Sequence, residues 1–182
     1  ENVRELKEKI AQRNQIVNMI TAETNRRQQT RSKAVRQSID DVLNMLRAQL
    51  QDLDDDLDKA IADSPAWQAK HDLLKSVPGV GDQTARQLII NLPELGTCSR
   101  QQIAALVGVA PFNQDSGQLR GKRAIRGGRT MVRIALYMAT LVATRFNPTI
   151  RKLYQRLLEK GKLKKVALVA CMRKLLLILN AM

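Results

Sequence analysis

Large apolar side chains recur at helical intervals along most of this chain, and aromatic ones are nearly missing. Val3, Leu6, Ile10, Val17 and Ile20 make one narrow seam, and Val35, Ile39, Val42, Leu46, Leu53, Leu57 and Ala60 make a second. Steps of three and four place such residues on one side of a helix. Only five aromatic residues occur among 182, so the core must be built from Leu, Ile, Val, Ala and Met, which suits helices better than sheets. The expected fold is all-α: a helical coiled-coil hairpin over residues 1–64, then a compact helical domain over 65–182.

Between the two seams, Thr24 to Lys33 contains no large apolar residue. It is either the bend of an antiparallel hairpin or a polar stretch of one long helix. The hairpin is favoured because the seams can then cover each other. The acids Asp52, Asp54, Asp55, Asp56 and Asp58 scatter around the seam, and a solvated face accounts for them better than a metal site. No metal ligands are assigned. Asp63-Ser64-Pro65 stops one helix and starts the next, with Pro65 suited to a first turn. His71, the single histidine, has no second ligand nearby and is expected to serve packing or the surface.

Residues 73–91 resemble a helix-hairpin-helix. In the turn Pro78-Gly79-Val80-Gly81, glycines would let the backbone approach a phosphate, and the amides of the following helix would face the anion. These four residues are therefore candidates for a DNA contact that positions a duplex without reading its sequence. The competing reading is a tight turn between helices. Ser99 is expected to cap a helix through Val107. Residues 110–129 are expected to form an irregular or hairpin-like loop carrying Ser116, and helices should follow over 129–145, 149–160 and 162–180, with Asn147-Pro148 between the first two.

Charge divides the chain sharply. Residues 1–115 carry 15 basic and 16 acidic side chains, whereas residues 116–182 carry 16 basic ones and a single acid, Glu159. A one-sided basic surface attracts polyanions, and nucleic acid is the leading partner. The apolar C-terminal segment is interrupted by Arg173 and Lys174 and is too short to span a bilayer, so no membrane association is expected. Cys98 and Cys171 are too few for a disulfide scaffold or zinc motif and are expected to be buried thiols. Because the chain opens at Glu1 without a Met, it is expected to be a piece of something longer.

The stretch Ala110-Pro111-Phe112-Asn113-Gln114-Asp115-Ser116-Gly117 sets one hydroxyl on a turn beside Arg120, Lys122, Arg123, Arg126 and Arg129. A serine oxygen that attacks a phosphodiester needs a proton acceptor and cations that stabilise charge growing on the phosphoryl oxygens. The cations are present. The only adjacent acid is Asp115, for which a turn role is favoured, so the chain lacks an evident general base. Asp-Ser-Gly is also an ordinary turn sequence, and a basic loop can bind phosphate without chemistry.

That octet, the Gly127-Gly128-Arg129 helix entry and the segment Gly161-Lys162-Leu163-Lys164-Lys165-Val166-Ala167-Leu168-Val169-Ala170 resemble the C-terminal part of the bridge-RNA-guided insertion-sequence serine recombinases. The resemblance implies that Ser116 is the catalytic nucleophile of a DNA transposase and forms a covalent phosphoserine link. It implies a RuvC-like N-terminal domain that holds magnesium, without which this piece should be inactive. It also implies a guide RNA that chooses the target. The expected partners are thus DNA, guide RNA and further copies of the chain joined through the coiled coil, in a prokaryotic cytoplasm at the nucleoid. The alternatives are a non-catalytic architectural DNA- or RNA-binding module and a pure assembly protein.

Overall fold

The computed structural model describes residues 2–113, 115–117, 119–121 and 123–182; the side chains of Asn2, Val3, Asp115, Leu119 and Arg120 lie outside that description. Eight helices make up nearly all of the regular structure among these residues, and the all-α expectation holds. The chain divides into two compact units, residues 1–68 and 69–182.

In the first unit, α1 (Asn2–Gln29) and α2 (Lys33–Ala62) pack against each other as an antiparallel hairpin, which settles the question left open at residues 24–33. The bend is closed locally: the Arg36 guanidinium donates to Thr30 O at 2.6 Å, and the Thr30 amide and hydroxyl both donate to Arg26 O. The buried seam uses Leu6, Ile10 and Ile16 of α1 with Ile39, Leu43, Leu46, Leu57 and Ile61 of α2. Expected seam members Val35 and Val42 are exposed instead. Alternating steps of four and three from Ile39 lead to Leu43 and Leu46, so a strict register through Val42 lies one position off the contact line. Two acids of the run also reach across to α1: the part-buried Asp54 accepts both Nε and Nη2 of Arg13 at 2.7 and 3.0 Å, and the exposed Asp56 accepts from Lys9 at 3.1 Å. The run is therefore partly a cross-helix contact and not wholly a solvated face.

α3 (Pro65–Lys75) leads into the second unit. There α4 (Asp82–Asn91), α5 (Arg100–Val107), α6 (Thr130–Phe146), α7 (Pro148–Glu159) and α8 (Lys164–Asn180) enclose the core. α6 is central, packing on α4, α7 and α8, and α8 also covers α5. α6 buries Val132, Leu136, Ala139 and Ala143 and α8 buries Ala167, Cys171 and Leu175 in a largely aliphatic interior that also takes in Thr140 and Asn147. Local signals set the ends of these helices. Ser99 and Gln102 form a reciprocal capping box at α5. The Asn147 side-chain oxygen accepts from the amides of Thr149 and Ile150, with Pro148 at the first position of α7. Cys171 is buried, and burial pushes its thiol up to about 11; Cys98 is only half-buried, contrary to expectation.

Between α5 and α6 the chain leaves the helical body as a short two-tier ribbon. β1 (Pro111–Phe112) pairs antiparallel with β4 (Ala124–Ile125) at its base, and β2 (Asp115–Ser116) pairs with β3 (Leu119–Arg120) at its tip.

Candidate functional site

Ser116 lies at the tip of this ribbon, opposite Leu119, where Gly117 takes the positive φ of 55° that a tight reversal needs. Its side chain is exposed. Two exposed cations accompany it on the return path. Arg126 lies over the Phe112 ring with its guanidinium carbon 5.0 Å from the centroid, and Arg123 faces α8 across a groove. Arg120 is placed by its backbone pairing with Asp115, its side chain being outside the described set, and Lys122 is outside it altogether.

The base of the ribbon is built from backbone crossing backbone. Gly108, left-handed at φ 77°, closes α5, and its main chain lies directly against Gly127 and Gly128. A Cβ on Gly108 or Gly128 would overlap the main chain of the other foot, so only glycine permits the crossing. The Arg129 amide donates to Leu106 O at 3.0 Å, and the Arg133 guanidinium donates to Gly127 O and, at 3.4 Å, to Val107 O.

Arg129 differs from the other arm cations. Its two terminal nitrogens donate to Glu94 Oε2 and Oε1, each at 2.6 Å, and Nη1 also donates to Asn91 O at 2.8 Å. Glu94 holds the guanidinium pKa above its ordinary value. The same 91–98 turn receives the Lys70 ammonium on Leu95 O at 3.0 Å, while Asn180 accepts the Gly96 amide and donates to Cys98 O. Arg129, expected to contact DNA, thus already has a structural partner inside the fold.

The Pro78–Gly81 turn also faces inward. Gly79 has φ 105°, and a Cβ there would stand 2.7 to 2.8 Å from Ala143 of α6. Asn147 donates to Pro78 O at 3.3 Å, and Val80 is buried. Pro78 and Gly81 are exposed, and a Cβ on Gly81 would meet open space. At the start of α4 stands Asp82, 2.6 Å from Lys75 Nζ and 3.5 Å from the buried His71 Nε2. The Lys75 ammonium holds the Asp82 carboxyl below the usual range. A carboxylate already occupies the positive end of this helix, which weakens its pull on a phosphate.

Two grooves not singled out in the sequence lie on the same unit. One, of about 450 Å³, runs between the ribbon base and α8; Val109, Ile125, Val166 and Val169 wall it, and Arg123, Lys165 and Arg173 edge it. The other, of about 460 Å³, gathers Thr149, Lys152, Leu153 and Arg156 of α7 with Lys174 of α8. The four-residue spacing of Lys152 and Arg156 along α7 is the signal that could have found the second. Among the described residues, no group of three or more His, Cys, Asp and Glu comes together as a metal site, and no helix is long and apolar enough to cross a membrane.

Residues 71–155 match the sequence model described as the Transposase IS116/IS110/IS902 family. The chain is 31% identical over 156 residues to the pilin gene-inverting protein of Moraxella bovis, a match covering 84% of this chain and 48% of that protein. It is 31% identical over 113 residues to a 43.6 kDa protein of insertion element IS110 from Streptomyces coelicolor, covering 60% of this chain and 28% of that protein. A 42 kDa protein of insertion element IS900 from Mycobacterium paratuberculosis matches at 37% over 86 residues, covering 46% of this chain and 21% of that protein. The chain spans about half the length, or less, of these curated relatives.

Proposed function

We propose that this chain is the serine-bearing part of a DNA transposase or recombinase, and that Ser116 is its nucleophile. The observation that carries the reading is the exposed Ser116 hydroxyl at the tip of a ribbon whose feet are locked in the helical body, within a unit that matches a transposase family. The relatives named as insertion-element and gene-inverting proteins support DNA rearrangement as the setting.

In the reaction, the Ser116 Oγ attacks a backbone phosphorus and forms a phosphoserine bond, while the bond from phosphorus to the leaving deoxyribose oxygen breaks. The hydroxyl proton passes to a base that a second domain supplies, and the leaving oxygen takes up a proton. A hydroxyl of the recipient strand then reverses the exchange, so the phosphodiester is conserved. Arg123 and Arg126, with Arg120 and Lys122, steer DNA and stabilise charge on the phosphoryl oxygens. The hairpin at Pro78–Gly81 adds a backbone contact through its exposed edge, and Arg129 acts by fixing the ribbon's foot. Magnesium, which would neutralise phosphoryl charge, belongs to a RuvC-like domain outside this chain; the described residues offer no ligand group for it, and no step here passes through it. A guide RNA supplies sequence choice, and the α1–α2 hairpin joins subunits.

The test incubates full-length protein with guide RNA, target DNA and magnesium and looks for a denaturation-resistant protein–DNA adduct. Wild type should form it, and Ser116→Ala should bind DNA equally well and form none. Salt-sensitive binding with no adduct from either protein would leave the architectural DNA- or RNA-binding module as the better account.

A further inference from the structure

The basic half of the chain has more cations than the ribbon uses. Of the side chains after Asp115, Arg129 alone among the described residues forms an ion pair with an acid. Six others converge on the two grooves: Arg123, Lys165 and Arg173 edge the first, and Lys152, Arg156 and Lys174 line the second. Arg173 and Lys174 are consecutive on α8, about 100° apart around its axis, so the two grooves flank this helix and its exposed side lies between them. Among the described residues Glu159, the one acid of this half, ends α7 without an ion pair to any of them.

A solvated surface helix ordinarily mixes its charges, as α1 and α2 do here with Arg4–Glu8, Lys9–Asp56 and Arg27–Asp40. A line of like charges destabilises the protein that carries it unless a polyanion covers it. Lys165 and Lys174 stand half a turn apart around α8, at about 3.6 residues per turn, so a strand passing from one groove to the other crosses the outer side of the helix.

We propose that these six residues form a backbone-binding track that carries duplex DNA away from the serine ribbon, over α8 and onto α7. The track holds phosphates and reads no bases, because it presents lysine and arginine heads without a helix aimed into a groove of the duplex. It rests on the reading that this unit handles DNA, but not on Ser116 being a nucleophile.

The experiment measures the affinity of the full chain for a duplex of about 30 base pairs over a series of KCl concentrations. Removing one phosphate-binding cation lowers the slope of log K against log salt by about 0.9, so Lys152→Gln, Arg156→Gln and Lys174→Gln combined should lower it by about 2.7. Binding near 0.1 M salt should weaken at least tenfold. The charge-keeping variant Lys152→Arg, Arg156→Lys and Lys174→Arg should restore the slope. Helicity and melting temperature, read on both variants, establish that the fold is retained. An unchanged slope in the folded glutamine variant overturns the track. So does failure of the charge-keeping variant to restore the slope, or a drop seen with an RNA duplex but not with DNA. Loss of the Ser116 adduct leaves these slopes unmoved, so the two readings fail separately.

Discussion

The two units use their positive charges in opposite ways. In the α1–α2 hairpin, Lys9, Arg13 and Arg27 each reach across to an acid of the other helix, and Arg13 and Asp54 do so with both side chains largely buried. In the second unit, among the described cations after Asp115, only Arg129 pairs with an acid, while Arg133 donates to main-chain carbonyls at the ribbon's foot. Charge in the first unit holds two helices in register. In the second, the described cations after Asp115 mostly lack an acid partner, and stability there comes from aliphatic packing and from glycines that let backbones touch.

The sharpest way to test that contrast is to damage the second unit without altering its charge. Gly128→Ala puts a Cβ into the main chain of the opposite foot at a left-handed φ of 70°, and should destabilise the unit by on the order of 3 kcal/mol. A urea titration reads this; a loss under about 1 kcal/mol would mean the feet are loosely held. Next comes the paired comparison of Gly79→Ala with Gly81→Ala. The first should cost about 2 kcal/mol because Ala143 fills the space, and the second should stay within about 0.5 kcal/mol. If Gly81→Ala nonetheless weakens DNA binding at unchanged stability, the hairpin edge contacts phosphate.

A smaller effect separates Arg129 from Arg123. Arg129→Gln breaks the half-exposed pair with Glu94 and should lower stability by about 1 kcal/mol, whereas Arg123→Gln should leave melting unchanged and weaken DNA binding. Equal behaviour of the two would erase the distinction between fold-holding and ligand-facing cations. The smallest effect is pH-dependent. Lys75 depresses the Asp82 pKa in the folded state, so the unfolded chain binds the proton more readily. The resulting stabilisation is present above the unfolded value of about 4 and is lost as pH falls through the lowered folded value. Asp82→Asn should therefore cost less than about 1 kcal/mol at pH 7, the pair being half-exposed, and the gap from wild type should close in acid melts.

Much of the fold was legible because its signals are local. Pro65, Ser99 and Asn147-Pro148 mark helix starts through groups at most three residues away, and the sequence placed them correctly. The hairpin of α1 and α2 followed from two seams needing cover, although the choice of Leu43 over Val42 depended on how the helices meet. What the sequence left hidden spans long separations. Glu94 and Arg129 are 35 positions apart, and Gly79 finds Ala143 only once α4 has packed on α6. A glycine in a sequence announces a turn, yet it says nothing of the backbone that will press against it. The groove between α7 and α8 was missed for a related reason: Lys152, Arg156 and Lys174 read as solvated faces until the two helices bring them around one groove.

Because the feet of the ribbon touch, the chain leaves the helical body at Val109 and returns at Gly128 to nearly the same point. The helices on either side are indifferent to what happens between. A segment inserted this way can grow, shrink or be replaced wholesale while α5 and α6 keep their places. The ribbon is in that sense an interchangeable tool in a fixed holder. A change in its length need not move the body that bears it.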